Sequence, residues 1–398
     1  MSAPRAPGLL VLAFLALLRP AFAEFPSAEL RGLWVVRTAL VSPQEVDRVV
    51  DEAASAGFNA LFVQVRGRGD AFYRSTLVPR STLLERQPAA FDPFARLVAR
   101  ARWRKLQVHA WVNVLLTAHF GQPLPRGHVL EKHPEWVMVP KSVATAALVA
   151  SGPRRLRLVM EAGRSEGDVE GYYISPSAPG VGEHLEAVVR EIVRSYPVDG
   201  VHLDFIRYPG PAFDWSRASL EGFRRAGGGG DLLAGPARDP AAWDDYRREV
   251  LTALAARLAD ASRAERPGVV VSAAVTPDEA LAVNHKFQDW PHWLATGILS
   301  ALCPMTYTAD SRLFQQQLET ARAKAGDRPV WAGIGAYRLD PEGLVQKVEV
   351  ARQSGARGVL LFSHESLEPE HRRLLRELAF APDPARREAP PGHAAGSQ

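Results

Sequence analysis

A carboxylate that closes a β-prone apolar run is placed for acid–base chemistry, and Asp204 is such a group, ending Gly200-Val201-His202-Leu203-Asp204. Two further runs end in polar side chains: Leu61-Phe62-Val63-Gln64-Val65 in Arg66, and Val108-His109-Ala110-Trp111-Val112 in Asn113. Side chains of a strand alternate between its two faces. One face of each run is wholly apolar. The other carries Phe62, Gln64 and Arg66; His109, Trp111 and Asn113; or His202, Asp204 and Ile206. Burying Arg, Asn, Asp and His is costly unless they bond one another or a ligand. The polar faces therefore read as a site, or as an internal salt-bridged network. Of the 11 histidines, His109, His202 and His364 lie on or near such runs. No H-x-H or H-E-x-x-H spacing marks a metal centre, and His109 and His202 read as core histidines with bonded ring nitrogens. Ser363-His364-Glu365 lacks a nucleophile elbow, and no phosphate-binding or dinucleotide fingerprint is present. Neither metal nor cofactor is expected.

Positioning these groups takes regular elements, and eight segments have the required character: Leu30–Val36, Ala60–Val65, Gln107–Asn113, Gly200–Ile206, Val269–Val275, Leu302–Tyr307, Val330–Gly335 and Gly358–Phe362. Amphipathic helices follow most of them. Ser42-Pro43-Gln44-Glu45 is a capping box with proline at the first helical position, Gly57 ends that helix, and Asp92-Pro93 opens the next. Alternation of this kind implies parallel βαβ units, and eight units in a chain of this length predict a (β/α)8 TIM barrel. A doubly wound open sheet would carry a Gly-rich turn after its first strand, where this chain has Arg37-Thr38-Ala39-Leu40. Two connections are long: Leu115 to Pro179 after strand three, and Gly210 to Arg238, containing Gly227–Gly230, after strand four. Both belong to the C-terminal face, where barrel enzymes keep their active sites. They are expected to wall a cleft, with the glycine run mobile.

The ends and the composition bound the rest. Arg5, the apolar run Gly8 to Leu18 and Ala21-Phe22-Ala23 describe a secretory signal peptide over residues 1–23. The run is shorter than the roughly 20 residues a membrane span needs, and no cysteine lies nearby for a lipid anchor. Release into the periplasm or medium is expected, without stable membrane insertion. Residues 1–23 hold two arginines and no acids, so the formal charge of +4 falls to +2 without them. That balance, with no basic run or stripe, does not suggest nucleic acid. The single cysteine, Cys303, excludes an intramolecular disulfide. Residues 24–380 read as one domain, and the Pro-, Ala- and Gly-rich stretch 381–398 as a disordered tail.

The segments ELRGLWV, FNALFVQVRGRGDAFYRS, VHAWVNVLL, VDGVHLDFIRYP and PMTY, in that order, resemble the glycosyl-hydrolase-like family 10 of exported bacterial proteins. The resemblance covers roughly Glu29 to Leu378. It implies a TIM-barrel glycoside hydrolase acting on bacterial cell-wall glycans, including peptidoglycan strands stripped of peptides. The family's strand-four acid falls on Asp204, and its strand-two Arg and Asp fall on Arg66 and Asp70. Many relatives carry a second acid directly after the first, where this chain has Phe205.

Glycoside hydrolysis ordinarily uses two carboxyl groups, a proton donor with a raised pKa and a nucleophile or base. Asp204 supplies one. For the second the order is Asp70, then Asp278 or Glu279, then Glu365, while Asp289 reads as a helix cap. Trp111, Tyr208, Tyr307, Trp331 and Tyr337 stand near strand ends, where rings can cover apolar sugar faces. With Arg66, Asn113 and Arg207 the first three and Tyr337 form the expected polysaccharide-binding set. A carbohydrate-binding barrel without catalysis and a metal-dependent hydrolase of wall peptide or acyl groups are the alternatives.

Overall fold

The computed structural model describes residues 29–381 apart from Asp168. The expected signal peptide and, Ala381 excepted, the expected tail lie outside the described residues. The barrel strands are β1 (Leu30–Val35), β2 (Ala60–Arg66), β3 (Gln107–Asn113), β4 (Gly200–Asp204), β5 (Val270–Val275), β6 (Ala301–Pro304), β7 (Ala332–Gly335) and β8 (Gly358–Phe362). They pair in parallel in the order β6-β5-β4-β3-β2-β1-β8-β7. Bridges Leu302–Val330 and Met305–Gly333 bring the two edges together, with Trp331 N–H donating to the Leu302 carbonyl at 2.9 Å. The result is the expected nearly closed (β/α)8 barrel.

Helices α1 (Pro43–Ser55), α2 (Pro93–Trp103), α3 (Val181–Ser195) and α4 (Pro240–Glu265) cover the outside of the first half. Local sequence sets their starts: Ser42 Oγ accepts from Glu45 N–H at 3.2 Å and Asp92 Oδ1 from Ala95 N–H at 2.9 Å, each with proline next in the chain. The apolar strand faces, including Leu61, Val63, Val108, Val201 and Leu203, pack outward on these helices. The opposite faces fill the barrel, with Trp34, Phe62, Trp111, Cys303, Trp331 and Leu360 buried together.

The barrel histidines divide. His202 Nε2 accepts from the Trp34 indole N–H at 3.2 Å, which leaves the proton on Nδ1, 2.9 Å from Ser272 Oγ. It is the bonded core histidine that was expected. His109 is not: its two ring nitrogens have no partner among the described residues, and it is held by stacking on Phe62 at 4.3 Å. Burial lowers its pKa to about 3, so the ring is neutral. Gly200 makes room for it, since a Cβ there would lie 2.1 Å from His109 Nδ1. Gly200→Ala is expected to cost about 1–3 kcal/mol through overpacking, read as a lower urea midpoint at unchanged m-value.

Two strand ends depart from simple alternation. The β2–β3 register slips between Gln64, opposite Trp111, and Arg66, opposite Val112. The slip turns Arg66 to the outer face, contrary to the inward placement expected from parity. Strand β4 stops at Asp204 rather than at Ile206, because Phe205 adopts φ +49°. That left-handed conformation costs a bulky residue about 1–3 kcal/mol, and it sends Ile206 into the outer core.

Candidate active site

A cavity of about 550 Å³ opens at the C-terminal ends of the strands. Trp34, Trp111, Tyr307 and Phe362 give it aromatic walls, with Tyr307 stacked on Phe362 at 5.6 Å and edge-on to Trp34 at 6.2 Å. Asp204, from the end of β4, faces this space and is only 6% exposed. Its Oδ2 accepts from the Trp111 indole N–H at 3.0 Å, and its Oδ1 accepts from Phe205 N–H at 2.6 Å. The Phe205 kink is what turns that N–H back toward the carboxylate. Arg207 Nη1 stands 3.4 Å from Oδ1. Burial pushes the Asp204 carboxyl above the usual aspartate range and outweighs the opposing pull of Arg207, the Phe205 N–H and Trp111; the Glu170 charge adds to the rise.

Glu170 is the second carboxylate of the cavity. It comes from the long connection after β3, which folds back through an antiparallel pairing of Leu116–Ala118 with Tyr172–Tyr173. Gly171 permits that return, since a Cβ there would lie 2.2 Å from the Ala118 carbonyl oxygen. Glu170 Oε1 is 3.1 Å from Arg207 Nη2, and Oε2 accepts from the Tyr173 hydroxyl at 2.7 Å. Burial alone would raise its pKa, but Arg207 and Tyr173 together hold it below the usual glutamate range. Burial likewise works against the Arg207 charge, but Tyr173, Asp204 and Glu170 raise its pKa on balance. The guanidinium lies 4.2 Å over the Phe205 ring. One cation thus holds two carboxyls whose proton affinities are displaced in opposite directions, the pattern that separates an acid from a base in one site.

Trp111→Phe removes a donor that favours the charged form of Asp204. The Asp204 pKa is therefore expected to rise further, moving the alkaline limb of the pH–activity profile to higher pH. An unmoved limb would detach Trp111 from the titrating group.

Of the residues expected from sequence, Asp204, Trp111, Asn113, Arg207 and Tyr307 come together in this cavity. Asn113 ties its wall: Arg37 Nη1 donates to Gln64 Oε1 at 2.8 Å, Gln64 Nε2 to Asn113 Oδ1 at 3.3 Å, and Asn113 Nδ2 to the Gly67 carbonyl at 2.8 Å. Arg66 lies behind that wall, fully buried, donating to the Asn113 and Val114 carbonyls, and burial lowers its pKa to about 10. Asp70 lines a neighbouring cavity, where Oδ1 accepts from Arg68 N–H at 3.0 Å. Glu279 opens a short outer helix and pairs with Lys324 at 3.0 Å, away from the cleft. Asp278 caps that helix, and Asp289 caps the helix Trp290–Ala295. Glu365 accepts from Thr38 and Ser363 hydroxyls. Tyr208 is buried edge-on to Phe287 at 5.2 Å, because the Phe205 kink turns it from the cavity. Tyr337 stands 51% exposed, 6.3 Å edge-on from Tyr307 and outside the cavity lining. The Gly227–Gly230 run belongs to a separate cavity of about 470 Å³.

Sequence reasoning missed Glu170, Arg37, Arg68 and Trp34, and it put Gln64 on the inward face without singling it out. Trp34 carried a usable signal, the inward parity of its strand. Glu170 carried a weaker one in Glu170-Gly171-Tyr172-Tyr173, an acid beside a β-prone pair inside an insertion on the working face. Among the described residues, no three His, Cys, Asp or Glu side chains are grouped to hold a metal ion.

A (β/α)8 barrel whose mouth combines aromatic walls with a paired set of carboxylates has the architecture of glycoside hydrolases. The family described as Glycosyl hydrolase-like 10 matches residues 29–338, and the chain belongs to that family. Glycosyl hydrolase YngK of Bacillus subtilis is 23% identical over 82% of this chain and 66% of its own length. Glycosyl hydrolase DigH of Escherichia coli is 24% identical over 74% of this chain and 69% of its own. The chain thus spans only about two thirds of the length of these relatives. The fold is shared with the PgaB (BpsB) glycoside hydrolase domain from Bordetella bronchiseptica: the TM-score is 0.67 at 16% identity, covering 88% of this chain and 99% of that one.

Proposed function

We propose that the protein is an exported glycoside hydrolase acting on a bacterial cell-wall or periplasmic polysaccharide, peptide-free peptidoglycan strands being the first substrate to test. The observation that carries this reading is the Asp204–Arg207–Glu170 bridge, in which burial raises one carboxyl and a cation lowers the other. Protonated Asp204 gives its proton to the leaving glycosidic oxygen as the bond to the anomeric carbon breaks. Ionised Glu170 either takes a proton from the attacking water or attacks the anomeric carbon itself. Each carboxyl oxygen has two lone-pair directions, so the hydrogen bonds to Trp111 and Phe205 leave Asp204 room to face the substrate. Trp34, Tyr307 and Phe362 cover apolar sugar faces, and Asn113 and Arg207 meet hydroxyls. Glu170 takes the place of the adjacent acid that Phe205 replaces.

The export reading rests on residues 1–23, and among the described residues no helix is long and apolar enough to cross a membrane. Residues 24–380 form the hydrolase domain in this reading, followed by the tail 381–398. The test is product analysis on peptide-free peptidoglycan strands and other bacterial glycans, with and without chelator. New reducing ends that chelator does not suppress are expected. Binding without cleavage, or chelator-sensitive release of amines or acyl groups, would overturn the reading.

A further inference from the structure

We infer that the Arg37–Arg68 end of the cleft is a subsite for a sugar bearing a carboxylate substituent. The inference rests on the glycan reading above but concerns a different part of the cleft. Arg37 follows β1, and Arg68 lies in the loop after β2. Both line the main cavity and also a neighbouring one of about 240 Å³, so they stand where the two meet.

Arg207, the other arginine of this cleft, has two carboxylate partners. Arg37 and Arg68 differ. Among the described residues neither forms an ion pair: Arg37 Nη1 donates to the Gln64 amide oxygen at 2.8 Å, and Arg68 Nη1 donates to the amide oxygen of Gln122. Arg37 is nonetheless buried, with 9% exposure. Burial and the neighbouring Arg68 charge both act against its protonated form, and only Asp70 favours it. Asp70 is the acid of this corner, and its carboxylate is tied to Arg68 N–H. His128 is neutral: burial lowers its pKa, Nε2 faces the Arg68 and Thr117 carbonyls at 2.9 Å, and Nδ1 accepts from Leu130 N–H. Glu365, bonded to Thr38 and Ser363, stays outside ion-pair reach. Two guanidiniums against one carboxylate leave one positive charge without a counter-ion inside a cleft.

The corner is also built around that charge. A Cβ on Gly67 would lie 2.7 Å from Arg37 Cδ and 2.8 Å from its Nη1, so only glycine lets the guanidinium lie against the loop. Gly69, at φ +69°, gives way to His128 in the same manner. A planar guanidinium without an ion-pair partner matches a carboxylate in a bidentate fashion. On a glycan that group is either the C6 carboxyl of a uronic acid or the carboxyl of a lactyl ether on C3.

The test is calorimetric binding of three hexasaccharides to Asp204→Asn protein, which holds them uncut. The probes are neutral chitohexaose, an N-acetylglucosamine–glucuronic acid hexamer and an N-acetylglucosamine–N-acetylmuramic acid hexamer. At least one acidic hexamer is expected to bind tenfold or more tightly than the neutral one, and which one identifies the carboxylate. Adding Arg68→Gln is expected to weaken the acidic hexamer to the affinity of chitohexaose, erasing the preference, and Arg68→Lys to restore part of it. Gly67→Ala, which displaces Arg37 without removing it, is expected to act like Arg68→Gln. Equal affinity for all three probes, no binding of any, or a preference untouched by Arg68→Gln would overturn the subsite. Preferential binding together with no reducing ends from the wild-type protein would sink the hydrolase reading and leave the subsite standing.

Discussion

Asp204→Asn is expected to lower kcat on a cleavable glycan by on the order of 10²–10⁴-fold, the usual weight of a positioned general acid. The amide cannot release the proton that the leaving oxygen requires. The substitution should not unfold the chain, and the direction of the Asp204 pKa shows why. Burial raises it in the folded state, so folding favours the protonated form. The stability gained from that group is fully present below the usual aspartate value and is lost as pH rises through the raised one. Above the raised value the wild-type protein therefore carries an unfavourable buried charge that asparagine lacks. In that range the variant is expected to melt at the wild-type temperature or above, with the difference disappearing in acid. Retained hydrolysis by this folded variant would remove Asp204 from the chemistry. A variant that melts well below wild type at pH 7 would show that the carboxylate is held for structure.

The barrel was legible in the sequence because its signals are local. Period-two alternation in Leu61–Val65, Val108–Val112 and Val201–Leu203 separates an outer from an inner face, and both cores follow that division. Asp204 was legible for the same reason, standing one alternation beyond His202 at the end of β4. Parity fails where the backbone stops being a regular strand. One extra residue near Val65 turns Arg66 from the inner to the outer side, because a one-residue slip exchanges the two faces of a strand. The kink at Phe205 does the same to everything after it, bringing Arg207 to the cavity and sending Tyr208 behind it.

Glu170 was not legible because its place depends on contacts far apart in the chain. It reaches Arg207 only because Tyr172–Tyr173 pairs with Leu116–Ala118, across an insertion of some fifty residues. No local rule ranks one glutamate of such a segment above another. The acids that sequence ranked higher sit beside strands and so looked nearer. Asp70 instead closes its own loop, and Glu279 pairs outward with Lys324. Phe205, directly after Asp204, offers no second acid. The second carboxylate of the cavity comes from the loop after β3 and meets Arg207 there.

Glu170→Gln is expected to reduce kcat by on the order of 10²–10³-fold and to reshape the pH profile in two ways. With Glu170 ionised and Asp204 protonated in the active form, wild-type kcat/KM should be bell-shaped. Its acid limb belongs to Glu170, which Arg207 and Tyr173 hold below the usual glutamate range despite burial. Its alkaline limb belongs to Asp204, which burial raises. In the glutamine variant the acid limb should vanish. The alkaline limb should also move to lower pH, because the Glu170 charge contributes to the raised Asp204 pKa and is now gone. A residue that merely supports the loop would lower the whole profile without moving either limb, and that result would return Glu170 to a structural role. Glu170→Ala with added azide then separates the two chemistries open to a carboxylate here. If Glu170 attacks carbon, azide fills the vacated space and bonds to the anomeric carbon as the glycosidic oxygen leaves with the Asp204 proton, giving a glycosyl azide on the face that Glu170 occupied. If Glu170 activates water, azide enters where the water stood. The anomeric configuration of the azide, compared with that of the sugar released by the wild-type protein, decides between them.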